Sequence, residues 1–307
     1  MGAARPVAAP QSESLRMSNT ETLYEERDGI AIVAINRPEK KNTLTNSVIQ
    51  GIEDGIDRAS RAKDVSAVVL RGIGDTLTAG YDLTANRSDW ETPYGAPDID
   101  ARPGAWDPVR DLHFMGENVR RFMRIWHCPK PVLGEIKGWA IGGATDLILC
   151  CDQLYMASDA HIGYAPSRIY GTPTTMLWVY RLKLEHAKQF LLTGRAIDAA
   201  TAYRIGLVSH VVDPQELSEF VESEARLYRN IPANQLALNK LLINQAYENM
   251  GLRTTQLLGT LFDGMTRHTE EAYRWVEDFA DKGFRQTIRD RDRPWGDYGE
   301  KPKQDGG

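Results

Sequence analysis

A glycine pair followed closely by an acid, within Lys137–Asp152, is the segment best suited to chemistry. Gly142 and Gly143 allow the backbone to approach a ligand because no Cβ intervenes. A helix that begins there directs backbone N–H groups and its positive dipole end toward the ligand. Such groups stabilise negative charge that develops on a carbonyl oxygen. Asp146 lies one helical turn beyond Gly143, so its carboxylate could face the same point. The alternative is an ordinary loop-to-helix junction with an acid in its first turn.

The elements that must position this segment alternate between short apolar runs and helical patterns. Apolar runs that predict strands are Ile30–Asn36, Ser66–Gly72, Val132–Ile136, Gln153–Ala157 and Leu207–Val212. Helical spacing predicts helices between them, for example over Ala144–Cys151 and Thr175–Leu192. Strands that alternate with helices indicate an α/β fold with right-handed crossovers. From Pro214 onward, the pattern is almost entirely helical.

The chain therefore reads as one α/β domain with a helical extension. We predict a disordered N-terminal segment over 1–20, an α/β core over 21–212, a helical region over 213–290 and a polar tail over 291–307. The stretch Thr84–Asp111 carries four prolines and several aromatics. A loop this long either folds back over a ligand or is a surface insertion, and the sequence favours neither.

Composition and charge argue against several classes of protein. The formal net charge of −5 argues against non-specific nucleic-acid binding, which requires a basic surface. No apolar run is long enough to cross a bilayer, and the N-terminus lacks the apolar core of a signal peptide. The cysteines are Cys128, Cys150 and Cys151, an odd number without a CxxC pair, which indicates buried thiols in a reducing compartment. We expect a cytoplasmic protein without a metal site.

Four segments together resemble the crotonase family, which is the enoyl-CoA hydratase/isomerase superfamily. LTAGYDL (77–83) and GWAIGGATDLILCCD (138–152) look like its paired oxyanion segments. INRPEKKNTL (35–44) and LLTGRAIDAATAYRIGLVSHVV (191–212) are similar to two further family stretches, in the same order. The resemblance covers about Thr22–Pro294. It implies a spiral of ββα units and a helical C-terminal region that packs on a neighbouring subunit, in a homo-trimer or a dimer of trimers.

The resemblance also implies acyl-CoA thioester chemistry. The oxyanion pair carries over to the backbone N–H groups of Tyr81 and Gly143, which would hold charge on the thioester oxygen. Coenzyme A would enter as part of the substrate, and no separate cofactor is expected. Basic residues that match the family's CoA-binding positions are Arg37, Lys40, Lys41 and, more loosely, Arg291.

The sequence departs from the family at its carboxylates. A typical hydratase of the family carries two glutamates that hold the attacking water. Asp146 stands at the first position, and Ser167, within APSRIYGTPTT (165–175), stands at the second. The helix dipole should keep Asp146 ionised, which would make it a better base than acid. Neighbours that could assist Asp146 in the substrate pocket are Tyr164, Ser167 and Arg168.

Three functions remain open from the sequence. Asp146 could run hydration, isomerisation or carbon–carbon cleavage of an acyl-CoA. Alternatively, the substrate could carry its own reactive group, as in decarboxylation, or the chain could be a non-catalytic acyl-CoA binder. Motifs for other chemistries, namely GxSxG, HExxH, GxxxxGK[ST] and GxGxxG, do not occur.

Overall fold

The computed structural model describes residues 20–83 and 106–299. The prediction of disorder for residues 1–20 and most of the loop prediction for 84–111 therefore fall outside the described residues.

A twisted six-stranded sheet forms the centre of the fold. Its strands are β1 Thr22–Arg27, β2 Ile30–Ile35, β3 Ala67–Gly72, β4 Val132–Ile136, β6 Gln153–Ala157 and β9 His210–Val212, in the order β1-β2-β3-β4-β6-β9. β1 and β2 form an antiparallel hairpin, and the other neighbours are parallel. Each of the five predicted apolar runs contains one of these strands. Every residue of β2 is buried, as expected of a strand that is covered on both faces.

A second, three-stranded sheet positions the glycine pair. It consists of β5 Trp139–Ile141, β7 His161–Gly163 and β8 Ile197–Asp198, with β7 in the middle. β5 ends directly at Gly142. The Gly142 N–H donates to Gly163 O at 3.0 Å, an ordinary hydrogen-bond distance. These strands are only two or three residues long, and their sequences carry no period-2 pattern that would predict them.

Helices flank the large sheet and make up the C-terminal region. Those that precede the C-terminal region are α1 Asn46–Arg61, α2 Pro108–His127, α3 Gly143–Ile148, α4 Trp178–Arg181, α5 Leu184–Thr193 and α6 Ala199–Arg204. The C-terminal helices are α7 Leu217–Leu227, α8 Ala233–Asn249, α9 Leu252–Arg267, α10 Glu270–Lys282 and α11 Phe284–Asp292. α9 packs along α2, close to the short helix α3.

Two helix predictions were wrong in extent. The predicted helix Ala144–Cys151 is shorter, because α3 ends at Ile148. The predicted helix Thr175–Leu192 is two helices, because Leu182 and Lys183 are extended and separate α4 from α5. Thr175 lies outside both helices, since its backbone N–H and side chain bond to Asp146 instead.

Other features agree with the sequence or qualify it. Cys128, Cys150 and Cys151 are free and buried, as expected. Residues 291–299, part of the predicted polar tail, pack against the domain, and Asp292 is fully buried. No helix in ranges 20–83 and 106–299 combines the length and apolar character that a membrane span requires.

Candidate active site

Two extended segments bring the predicted oxyanion residues together. Residues 77–83 run between Leu44 on one side and β5 on the other. Leu44 N–H donates to Gly80 O at 2.8 Å, and Asp82 N–H donates to Leu44 O at 2.9 Å. Since alternate residues of an extended chain direct their N–H groups to opposite sides, the Tyr81 N–H points away from Leu44. On the β5 side, Thr78 N–H donates to Trp139 O at 3.2 Å.

Close contacts explain the glycines of both segments. Gly80 has φ +91°, and a Cβ there would lie 2.6 Å from Ile141 O. The same Cβ would lie 3.6 Å from the Gly143 nitrogen, so the two segments touch one residue away from Tyr81. Gly142 caps α3 with φ +59°, which favours glycine. The Tyr81 and Gly143 amides thus belong to adjoining pieces of backbone.

Asp146 is fixed by hydrogen bonds beneath this backbone. Its side chain lies on α3, one turn beyond Gly143, and the residue is 1 % exposed. Asp146 Oδ1 accepts from the backbone N–H of Thr175 at 2.8 Å and from Thr175 Oγ1 at 2.9 Å. Thr145 Oγ1 donates to Gly142 O at 2.7 Å and accepts from Trp178 Nε1, which fixes the start of the helix.

The protonation of Asp146 differs from the prediction. Burial, followed by the charge of Asp263, raises the pKa of Asp146 to about 7, although Thr175 donates to its carboxylate. The prediction that the helix dipole keeps Asp146 ionised, as a better base than acid, was therefore wrong. α3 has only six residues, so its dipole is short, and loss of hydration outweighs it. A carboxyl group with a pKa near neutrality can both take and return a proton.

A second buried carboxylate, which the sequence did not suggest, comes from α9. Asp263 is 6 % exposed, and Arg267, one turn later, pairs with it. Arg267 Nη2 also contacts Asp111 Oδ1 of α2 at 2.6 Å. Burial raises the pKa of Asp263 above its usual range even beside this guanidinium. The spacing of Asp263 and Arg267 indicates a helical ion pair in sequence, but nothing in it indicates that the pair faces Asp146.

Of the predicted pocket residues, Tyr164 lies near the carboxylates. A Cβ on Gly171 would lie 3.4 Å from Asp263 Oδ1 and 3.6 Å from Tyr164 Oη, so these two groups converge there. Burial and then the charge of Asp146 raise the pKa of Tyr164 well above its usual value. Ser167 lies partly exposed on the 3₁₀ turn Ala165–Arg168 that follows Tyr164.

The Arg168 side chain makes its contacts away from Asp146, Asp263 and Tyr164. Its guanidinium pairs with Asp297 at 2.7 Å and with Asp292 at 2.9 Å. It also stacks over the rings of Trp295 and Tyr298, at 4.7 and 5.2 Å from the ring centroids. The expectation that Arg168 assists Asp146 is therefore not supported, since all its polar contacts hold residues of the C-terminal segment and Thr193.

The CoA-binding candidates divide into two groups. Arg37 is engaged inside the protein: it pairs with Glu21 at 2.9 Å and with Asp82 at 3.1 Å, and its side chain is 13 % exposed. Arg291 likewise makes two contacts to Asp292 and is 12 % exposed. Lys40 and Lys41 are exposed, and Lys41 reaches only the surface carboxylate of Asp75. The structure thus favours a structural role for the two arginines and leaves the lysines available to an anion.

Comparisons with known proteins show the family and the fold of the chain. The profile of the enoyl-CoA hydratase/isomerase family matches residues 25–100 and 106–286. The chain belongs to the enoyl-CoA hydratase/isomerase family. The crystal structure of enoyl-CoA hydratase from Mycobacterium smegmatis is similar to it, with a TM-score of 0.83 and 34 % identity over 93 % of this chain and 97 % of that one. The crotonase-like fold predicted from the sequence is thereby confirmed.

Sequence relatives within the family carry different names. Crotonyl-CoA hydratase of Syntrophomonas wolfei is 29 % identical over 244 residues, which are 78 % of this chain and 85 % of that protein. The mitochondrial Delta(3,5)-Delta(2,4)-dienoyl-CoA isomerase of Rattus norvegicus is 38 % identical over 128 residues, 42 % of this chain and 37 % of that protein. Both hydratases and isomerases are therefore among the family members that this chain resembles.

Proposed function

We propose that this family member is an isomerase that moves a double bond in an unsaturated acyl-CoA. The observation that carries the proposal is the state of Asp146, a buried carboxyl group with a pKa of about 7, one helical turn from Gly143. A group that must first remove and then return a proton works best when its pKa is close to the ambient pH.

The reaction needs one acid–base group and an oxyanion site. The Asp146 carboxylate takes a proton from the α carbon of a β,γ-unsaturated acyl-CoA. The electron pair shifts onto the thioester oxygen, which accepts hydrogen bonds from the Tyr81 and Gly143 N–H groups. The Asp146 carboxylic acid then protonates the γ carbon, and the double bond comes to lie between the α and β carbons. No atoms are gained or lost. Loss of one such donor typically costs about 2.7–4 kcal/mol.

Hydration is the second candidate, and the names of the hydratase relatives favour it. Water addition needs a group that activates the oxygen nucleophile while a proton is supplied to the α carbon. Ser167 stands where the family places its second glutamate, and a hydroxyl is not a base near neutral pH. Isomerisation demands less of this site, because the same carboxyl group serves both steps.

The proposal includes the partners expected from the family. Coenzyme A would enter as part of the substrate, and the reaction needs no separate cofactor. Lys40 and Lys41 would lie near the phosphates of the coenzyme A. α8 and α9 expose apolar side chains, including Leu241, Leu242 and Phe262, which are 61 %, 71 % and 46 % exposed. Apolar surface of this kind marks protein–protein contacts, and we assign it to neighbouring copies in a trimer or a dimer of trimers.

The test is a comparison of two substrates. The purified protein is incubated with β,γ-unsaturated and with α,β-unsaturated acyl-CoA of equal chain length. Isomerisation predicts the appearance of conjugated thioester absorbance from the first substrate and at most slow loss of it from the second. Faster water addition to the second substrate would establish hydration instead. Tight binding of both without turnover would identify a non-catalytic binder.

A further inference from the structure

The turn Thr172–Thr175, which we name the threonine turn, is held at both ends by buried carboxylates. At its C-terminal end, Thr175 N–H donates to Asp146 Oδ1 at 2.8 Å. At its N-terminal end, Thr172 N–H donates to Asp263 Oδ1 at 3.2 Å. One carboxylate comes from the oxyanion helix α3 and the other from α9. The two acids are thus joined through four residues of backbone.

Three residues on one face of α9 make polar contacts to this turn. Gln256 Nε2 donates to Thr175 O at 3.1 Å, and Thr172 Oγ1 donates to Gly259 O at 2.7 Å. With Asp263, these residues lie at spacings of three and four, which place them on one side of a helix. A Cβ on Gly259 would lie 2.8 Å from Pro173 O, so the helix and the turn are in close contact.

Charge also links the two acids. The charge of Asp263 is the largest charge contribution to the raised pKa of Asp146. The pKa values of Tyr81 and Tyr164 are raised by both carboxylates, after burial, and lowered by Arg267. The titratable groups around Asp146 are Cys150 in the turn after α3, Tyr81, Tyr164, and Asp263 on α9, which is paired with Arg267.

We propose that Asp263 is a positioning residue for proton transfer: it anchors the threonine turn, which holds Asp146, and opposes Asp146 with a second negative charge. The inference rests on the proposed function for its catalytic consequence. Arg267, which pairs with both Asp263 and Asp111, compensates part of the buried negative charge.

The test measures the titration of Asp146 itself, so that it does not depend on turnover. Infrared absorption of protonated carboxyl groups is recorded against pH, and the Asp146 signal is assigned by its loss in Asp146→Asn. In Asp263→Asn, the Asn Oδ1 still accepts from Thr172, but the charge is gone. The titration midpoint of Asp146 should then fall to lower pH. The acid limb of kcat/KM on the β,γ-unsaturated acyl-CoA should move in the same direction.

Glu222→Gln is the matched control. Its side chain is 9 % exposed, against 8 % for Asp263, and it lies on α7, where it pairs with Arg27 and Arg71. It should destabilise the protein without moving the Asp146 midpoint. If Asp263→Asn does not fold, Asp263→Ser removes the same charge with a smaller polar side chain and should also lower the midpoint.

An unchanged Asp146 midpoint in a folded Asp263 variant would overturn the proposal. A lowered midpoint without any effect on turnover would retain the coupling of the two acids but reject the proposed function. Equal shifts in Asp263→Asn and Glu222→Gln would show a general effect of destabilisation, which also contradicts a positioning role.

Discussion

The ring of Tyr81 lies against the Cα of Gly143, so that a Cβ on Gly143 would come within 2.5 Å and 2.6 Å of two ring carbons. Tyr81 and Gly143, whose amides form the expected oxyanion pair, are thus also in contact through the Tyr81 ring and the Gly143 backbone. The φ of Gly143 is not positive, so the need for glycine comes from this contact rather than from the backbone.

Gly143→Ala should therefore fail through its contact with Tyr81. We expect a loss of about 1–3 kcal/mol in the free energy of unfolding from overpacking. We also expect a decrease in kcat of roughly 10²–10³, because the amide is displaced. In Gly143→Ala/Tyr81→Ala the ring is absent, so the overpacking should disappear and the double variant should lose less stability than the two single variants together. Urea denaturation of both single variants and the double variant measures this, and simple additivity of the two losses would contradict it.

Stability should depend on pH through Asp146. Its pKa is about 7 in the folded protein, above the value of the unfolded chain. Between these values, the folded state holds a proton that the unfolded state has lost. The protonated Asp146 therefore contributes its full stabilisation below the unfolded pKa. This contribution, up to roughly 4 kcal/mol of the free energy of unfolding, is lost as the pH rises through about 7. Asp146→Asn should remove this pH dependence in urea denaturation between pH 5 and pH 8, and an unchanged slope would refute the assignment.

The basic loop offers a test of the CoA contacts. Lys40→Ala/Lys41→Ala should raise KM several-fold at low salt and leave kcat unchanged, because exposed ion pairs contribute roughly 0.2–1 kcal/mol each. Arg37→Ala should instead lower stability and kcat, since Arg37 holds Asp82 beside Tyr81. Lys63→Ala, another exposed lysine, is the control and should change neither. Equal KM effects of Arg37 and the two lysines would mean that all three bind the ligand.

Arg168 should be important for stability. Arg168→Gln leaves Asp292 and Asp297 without their shared cation, and breaking a buried pair typically costs about 3–5 kcal/mol. Arg120→Gln is the control, because that side chain is 52 % exposed and its pairs are worth under about 1 kcal/mol. Thermal unfolding compares the two. If the Arg168 variant were as stable as the wild type and only its KM were raised, the result would show that Arg168 contributes to the substrate pocket.

The sequence predicted the backbone of the site better than its side chains. The glycine of LTAGYDL and the Gly142-Gly143 pair are visible in the sequence, and the strands of the large sheet lie in apolar runs. The short strands β5, β7 and β8 have no such pattern and form only because Trp139, His161 and their neighbours are brought together by the fold.

The protonation state of Asp146 could not be predicted, because it depends on distant parts of the chain. Local sequence places the acid in the first turn of a helix, where the dipole favours ionisation. Its burial and the opposing charge of Asp263 arise from the packing of α9 against the threonine turn. Likewise, Arg37 and Arg168 appear in sequence as available cations, and only the fold shows that Asp82 and Asp297 already pair with them.

Proton exchange at the α carbon tests the central claim most directly. The protein is incubated with a β,γ-unsaturated acyl-CoA in deuterium oxide, and deuterium at the α and γ carbons is measured by mass spectrometry for the wild type and Asp146→Asn. We predict exchange and double-bond migration with the wild type, and loss of both with Asp146→Asn while acyl-CoA still binds. Undiminished exchange by Asp146→Asn would contradict the assignment of Asp146 as the group that moves the proton.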